Sequence, residues 1–424
     1  MKASFNISWV GQRVEKPKPS SAHARRGPRF ALLSAVLLIT AVSMQAQTVT
    51  ALYSFCPPPD NDCAAGPDGA DPESSLTPDG AGGFYGTTYQ GGLLYGTVFR
   101  LSRNSSGGWN ETVIYKFTGG AAGSIPWFSN VILDKSGNLY GTLAWGGNEG
   151  DGGDGYGVVF QLSRLAGVWT ENVLYRFLGG TDGANPVNGL VMDEAGNLYG
   201  KTMNGGTGGN GTIFEVSPSG SAWTERVIYN LDAGYGGLAI DRSGNIFSTS
   251  STTVFELSKN GHGGWTPKVL HTFTDAQDGS FPAATPVLHA GSLYGTTVLG
   301  GSAGQGTVYR LVPQANGKPK EEILYSFPGG SSGAQPWVGV VFDPAGNLYG
   351  TTLLGPESGL VYELVAPVGT GSYTEKILGA LSEVGGSNGL FSYGTLIRDT
   401  AGNLYGTTGG GGSNGAGTVF EVTP

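Results

Sequence analysis

The chain has 424 residues, of which 76 are glycine, 13% are charged and 39% are hydrophobic, with a net charge of −9. Charge is too sparse for a disordered polyelectrolyte, and the glycines lack the every-third-residue spacing of a collagen helix, so both classes are excluded. What remains is a fold with very many tight turns, each wanting a positive φ.

The charge divides along the chain. Residues 1–46 carry Lys2, Arg13, Lys16, Lys18, Arg25, Arg26 and Arg29 against Glu15, a surplus of six that leaves −15 on the rest. An acidic remainder argues against nucleic acid and anionic membrane as partners. Phe30 to Ser43 is an apolar run behind Arg25, Arg26 and Arg29, followed by small residues with Ala46 or Ser43 before the cleavage point. That order is an export signal's, and the run is short for a membrane span. Residues 1–46 are therefore expected to be leader and signal peptide, and 47–424 the mature, exported part: secreted, periplasmic or cell-surface, with no membrane partner after cleavage.

Val49 to Phe55 is the first strand expected. Cys56 and Cys63, the two cysteines of the chain, follow in CPPPDNDC, and a structural disulfide is expected between them in an oxidising compartment. From there the chain repeats. G-N-L-Y-G-T-T recurs around Tyr140, Tyr199, Tyr349 and Tyr405, and more loosely at Tyr85, Phe247 and Tyr294. G-T-V-F-E-L follows at Phe99, Phe160, Phe214, Phe255, Tyr309, Tyr362 and Phe420. V-L-Y-S-F occurs at Phe55, Phe117, Phe177, Leu231, Phe273, Phe327 and Leu381. The period is about 53 residues, in the range of propeller blades.

Each unit holds four strand candidates; in the third they are 187–193, 197–203, 211–216 and 225–231, bounded by Gly, Asn, Asp and Pro. D-x-x-G-N separates the first two, at Asp134, Asp193, Asp241, Asp343 and Asp399. These aspartates are read as turn residues rather than calcium ligands. The chain starts with the outer strand and ends at Gly417 to Val422 with a third strand, so the N-terminal strand completes the last blade. The expectation is an all-β, seven-bladed β-propeller with four antiparallel strands per blade.

The pattern GNLYGTT…GG…GTVFEL resembles the GloVer (Gloeobacter–Verrucomicrobia) tandem repeat family of exported bacterial proteins, over residues 49–424. The resemblance implies a repeat fold but no general activity. Many relatives end in a surface-anchoring tail; this chain ends at Thr423-Pro424, so no such anchor is expected. The D-x-x-G-N-x-Y hairpin is similar to that of NHL and streptogramin-lyase propellers.

With strands running from axis to rim, the loops before the first strand and after the second share one face. There Tyr89, Trp127, Trp145 and Trp337, with Asp182 and Asp278, are candidates for stacking on and hydrogen-bonding a glycan. Asp151 and Asp154 form a candidate calcium site; no other cofactor is expected. Trp109, Trp169, Trp223 and Trp265, with Tyr373, open the outer strands and are read as packing residues. His262, His271 and His289 are scattered, His271 standing where other units carry tyrosine, and no nucleophile pattern occurs. The sequence therefore favours a non-enzymatic module binding glycan or a surface protein. The alternatives are a lyase or lactone hydrolase with an axial divalent metal, or a structural surface protein.

Overall fold

In the computed structural model of the chain, the aromatic residue of the G-T-V-F strand pairs with the glycine of the L-Y-G strand beside it in six blades, as Phe99 with Gly86, Phe160 with Gly141, Phe214 with Gly200 and Phe420 with Gly406, while in the fourth Phe255 pairs with Ser248. A Cβ on Gly86 would lie 2.3 Å from the Phe99 ring. The ring thus lies over bare backbone, and this glycine is required for room rather than for φ. The phenylalanine of each preceding outer strand meets that ring edge-on. Phe55–Phe99, Phe117–Phe160, Phe177–Phe214, Phe273–Tyr309 and Phe327–Tyr362 have centroids 5.0–5.2 Å apart. All ten rings are buried, each contributing roughly 1.5–3 kcal/mol of transfer free energy. The core is therefore a ring of seams between blades.

The structure describes residues 48–56, 66–147, 155–274, 277–369, 371–382 and 389–423, all within the unit Ala46–Pro424. The segment 1–46 expected to be leader and signal peptide, Cys63 and the Asp151/Asp154 pair lie outside the described residues; Cys56 is disulfide-bonded. The described residues form seven four-stranded antiparallel sheets. In the third blade the strands are Ala184–Met192, Leu198–Asn204, Thr212–Ser219 and Ala222–Asn230. They outrun the predicted segments because pairing continues past the apolar alternation, to Ser219 opposite Ala222. The innermost strand is shorter elsewhere, as in Thr77–Pro78, Ile132–Leu133 and Val287–His289, since seven strands converge on the axis.

The seventh sheet joins the two ends of the propeller. Ile397–Arg398, Leu404–Thr408 and Thr418–Val422 are completed by Val49–Ser54. Val49 sits opposite Val422 and Ser54 opposite Thr418, and the Phe55 N–H donates to Gly417 O at 3.1 Å.

Side-chain hydrogen bonds explain the rest of the repeat. Asp193 Oδ1 accepts from the N–H groups of Ala195 and Asn197, while its Oδ2 accepts from the Asn197 amide and the Tyr199 hydroxyl, which also donates to Glu215. Asp343 and Tyr349 repeat this with Glu363. Burial pushes the carboxyls of Asp134, Asp193, Asp343 and Asp399 up, but the donated hydrogen bonds outweigh it and hold them below the ordinary value. The turn reading thus holds. The threonines of G-T-T and G-T-V meet across the strands, Thr88 with Thr97, Thr202 with Thr212, Thr297 with Thr307 and Thr408 with Thr418, at 2.8–2.9 Å.

Candidate functional site

One residue of each axial loop is held in left-handed backbone: Asp71, Ile125, Asn185, Ala233, Phe281, Gln335 and Phe391, with φ between 54° and 63°. Such a conformation costs a non-glycine residue about 1–2 kcal/mol, so the surroundings must impose it. Two backbone bonds do so. The N–H reaches the preceding blade, as in Asp71 to Ala416 O, Ile125 to Tyr95 O, Asn185 to Tyr156 O and Gln335 to Gln305 O. The carbonyl accepts from its own blade, as Asp71 does from Tyr89 and Phe391 from Gly409. Two residues later stand Glu73, Trp127, Val187, Tyr235, Ala283, Trp337 and Tyr393, one per blade around the mouth of the axis.

Aromatic rings crowd that mouth. Trp127 stacks on Trp145 at 5.3 Å and on Phe128 at 5.9 Å, and Phe128 meets Tyr393 at 5.3 Å. Tyr393 touches Phe391 and Trp337, and Trp337 touches Tyr235 and Phe281. Phe391 is 42% and Tyr235 39% exposed; the other rings are half-buried. Behind them the axis narrows to a cavity of about 60 Å³, reached by Ser75, Asn130, Asn188, Thr285 and Thr395. A ligand of any size would lie on the mouth rather than in the axis.

Glu73 puts a carboxyl where the second, sixth and seventh blades put Trp127, Trp337 and Tyr393. Gly409 makes its room: a Cβ there would stand 3.3 Å from Glu73 Cγ. Its Oε2 is buried with no hydrogen-bond partner among the described residues. Burial, and then the charge of Asp71, push Glu73 up to about 7. Burial also raises Asp71. Burial and then the Glu73 charge raise Tyr89 and Tyr393.

Of the residues singled out in the sequence, Trp127, Trp145 and Trp337 come together in the aromatic collar, and Tyr89 lies beside Asp71 and Glu73. Glu73, Phe128, Tyr235, Phe281, Phe391 and Tyr393 were missed. Aligning the loops on the residue two past the left-handed position would have found Glu73. Asp182 and Asp278 belong elsewhere, to latches between blades at the rim. Tyr53 donates to Asp68 at 2.8 Å and Tyr175 to Asp182 at 2.7 Å. The glutamate of the next outer strand closes each latch. Glu111 and Glu225 are pushed up to about 8, by burial first and then by the Asp68 and Asp182 carboxylates. Tyr115 and Tyr325 reach such a glutamate directly, at Glu171 and Glu375.

At the junction of the fourth and fifth blades the tyrosine is His271. Its Nε2 lies 3.7 Å from Asp278 Oδ2 and 3.6 Å from Glu321 Oε1, and the three ligand atoms fall within 4.8 Å of one another. Burial lowers the His271 pKa. Burial, followed by the Asp278 charge, raises Glu321 to about 7. This corrects the expectation that favoured a non-enzyme, one ground of which was that no histidine clusters with other metal ligands. The packing of neighbouring outer strands brings Glu321 to His271, 50 residues away in sequence, and to Asp278, a juxtaposition that no local spacing displays. His271 and Glu321 stand on neighbouring outer strands, Trp265–Thr272 and Lys320–Ser326, and Asp278 in the loop that follows the first.

The Trp series packs as expected, with Trp109 stacked on Phe84 and Trp265 edge-on to Tyr199. A groove of about 880 Å³ opens on the opposite face between turns of the fourth and fifth blades. Asp241 in its wall is already committed to Ser243 and Asn245. Among the described residues no helix is long and apolar enough to cross a membrane.

Comparison with known proteins agrees with this architecture. The family model described as Gloeobacter/Verrucomicrobia repeat matches residues 38–251 and 240–424. No curated protein matches the chain. Among solved structures, a streptogramin B lyase superposes with a TM-score of 0.53 at 12% identity, over 88% of this chain and 97% of that one. Virginiamycin B lyase from Staphylococcus aureus gives 0.50 at 12% identity, over 84% and 96%. A gluconolactonase from Xanthomonas campestris gives 0.42 at 12% identity, over 88% of each chain. What these proteins share with this chain is the propeller fold.

Proposed function

The chain belongs to the Gloeobacter/Verrucomicrobia repeat family, and from that premise we propose that it is an exported propeller enzyme. It takes a sugar-derived ring at the aromatic mouth of the loop face and uses Glu73 for proton transfer. The observation that carries this reading is the placement of one carboxyl, with an unpartnered buried oxygen, in a ring position otherwise given to aromatic and small apolar side chains. Aromatic faces at Trp127, Trp145 and Trp337 suit the apolar face of a sugar ring, while Tyr89, Tyr393 and Asp71 offer polar partners at its edge.

A carboxyl with a pKa of about 7 is present in both forms at neutrality and can give or accept a proton. That fits an elimination, in which a proton is taken next to a carbonyl group and another is given to the leaving oxygen. It fits equally the opening of a lactone by water. Nothing in this reading passes through the rim triad.

The test is a screen of oligosaccharides and sugar lactones, read by the fluorescence of the mouth tryptophans and by product formation. Glu73→Gln should keep ligand binding and lose turnover, and the wild-type rate should change with pH near 7. Turnover unaffected by Glu73→Gln, or binding unaffected by Trp127→Ala and Trp337→Ala, would sink the reading.

A further inference from the structure

We propose that His271, Asp278 and Glu321 bind one divalent transition-metal ion of the zinc class, which clasps the fourth blade to the fifth. The inference is independent of the mouth and starts from the other blade junctions. At two of them a tyrosine hydroxyl supplies the proton that one carboxylate accepts, Tyr53 to Asp68 and Tyr175 to Asp182, with Glu111 and Glu225 alongside. At the fourth junction the hydroxyl is gone. An imidazole replaces it, facing the same two carboxyl positions.

Both His271 Nε2 and Glu321 Oε1 are buried without a hydrogen-bond partner among the described residues, while Asp278 is oriented by the N–H and hydroxyl of Thr274. The side chains are 17%, 21% and 14% exposed, so all three ligand groups are largely withdrawn from bulk solvent. Atoms 3.6 and 3.7 Å apart, the third side within 4.8 Å, leave a point about 2.1–2.4 Å from all three, inside the range of nitrogen and oxygen bonds to metal.

The donor set selects the ion. Imidazole with two carboxylates favours zinc, manganese or cobalt over magnesium and calcium. Three protein ligands also leave a position for water. Burial lowers the His271 pKa, in the direction of the neutral imidazole that coordinates. A dication between Asp278 and Glu321 offsets the repulsion between their carboxyl groups.

The experiment uses the untagged full-length protein, stripped with EDTA, dialysed and titrated with ZnCl2, with MgCl2 and CaCl2 as parallel arms. Wild type should take up one zinc per chain by elemental analysis. At free zinc one hundred times Kd its unfolding equilibrium constant should fall about 100-fold. His271→Tyr restores the residue of the other junctions. It should bind no zinc yet unfold at the metal-free wild-type temperature or above. Glu321→Gln should weaken zinc binding at least tenfold without loss of the fold. Zinc uptake below one-tenth of an equivalent, equal uptake by wild type and His271→Tyr, or stabilisation by calcium exceeding that by zinc would overturn the proposal.

Discussion

Lys201 is 1% exposed and occupies the position of Thr87, Thr142, Thr296, Thr351 and Thr407 in other blades. Its Nζ donates to Gly236 O and Thr249 O of the next blade, each at 3.0 Å, with no carboxylate among its hydrogen-bond partners. Burial pulls its pKa down to about 7, against roughly 10.4 for an unfolded lysine. Above pH 7 the folded chain therefore sheds a proton that the unfolded chain keeps, and stability rises with pH. The slope approaches about 1.4 kcal/mol per pH unit, and integration from pH 7 to 9 gives roughly 2 kcal/mol. Lys201→Met keeps most of the volume and removes the titration. Urea unfolding of both proteins at pH 7, 8 and 9 should show the wild type gaining about 2 kcal/mol relative to the variant across that range. A difference constant to within about 0.5 kcal/mol would refute the reasoning, as would a wild type that loses ground as pH rises.

The rim latches titrate in the opposite sense. Glu111 and Glu225 have folded pKa values near 8, so their contribution is complete below the ordinary glutamate range and is lost as pH climbs to 8. Stability of the wild type relative to Glu111→Gln should decline between pH 5 and 8 in chemical denaturation; parallel profiles would count against the carboxyl pairing. Ring closure makes a third prediction. Phe55→Ala should cost about 3–5 kcal/mol, as much as Phe177→Ala in an unbroken stretch of the ring. A cost below about 1 kcal/mol for Phe55 alone would mean that the N-terminal strand does not seal the last blade.

The number of blades, their order and their closure were legible because each rests on a residue type that recurs in register. The glycine under Phe99, the Asp-Asn-Tyr-Glu hydrogen bonds and the threonine pairs are all one-dimensional patterns. The site was legible only in part. Trp127 and Trp337 stood out because proline-tryptophan pairs recur, whereas Glu73 is the departure from a pattern and emerges only when the loops are aligned on their left-handed residue. His271 was noticed as a replacement for tyrosine, but its partner Glu321 lies one blade away. The phenylalanine seams between blades recur with the repeat, but a contact made by substituted residues on two blades, such as His271 with Glu321, carries no periodic mark.

The strand that seals the wheel is made first and paired last. Val49 must wait for Val422 to emerge from the ribosome before either finds its neighbour. Through that interval the six-residue edge Val49–Ser54 is open to any foreign strand. The mouth is hostage to the same event, since Asp71 takes its shape from a bond to Ala416, and Glu73 follows two residues behind. Chains cut short of their last blade should thus accumulate as strand-exchanged aggregates with no working mouth, rather than as smaller, partly active wheels.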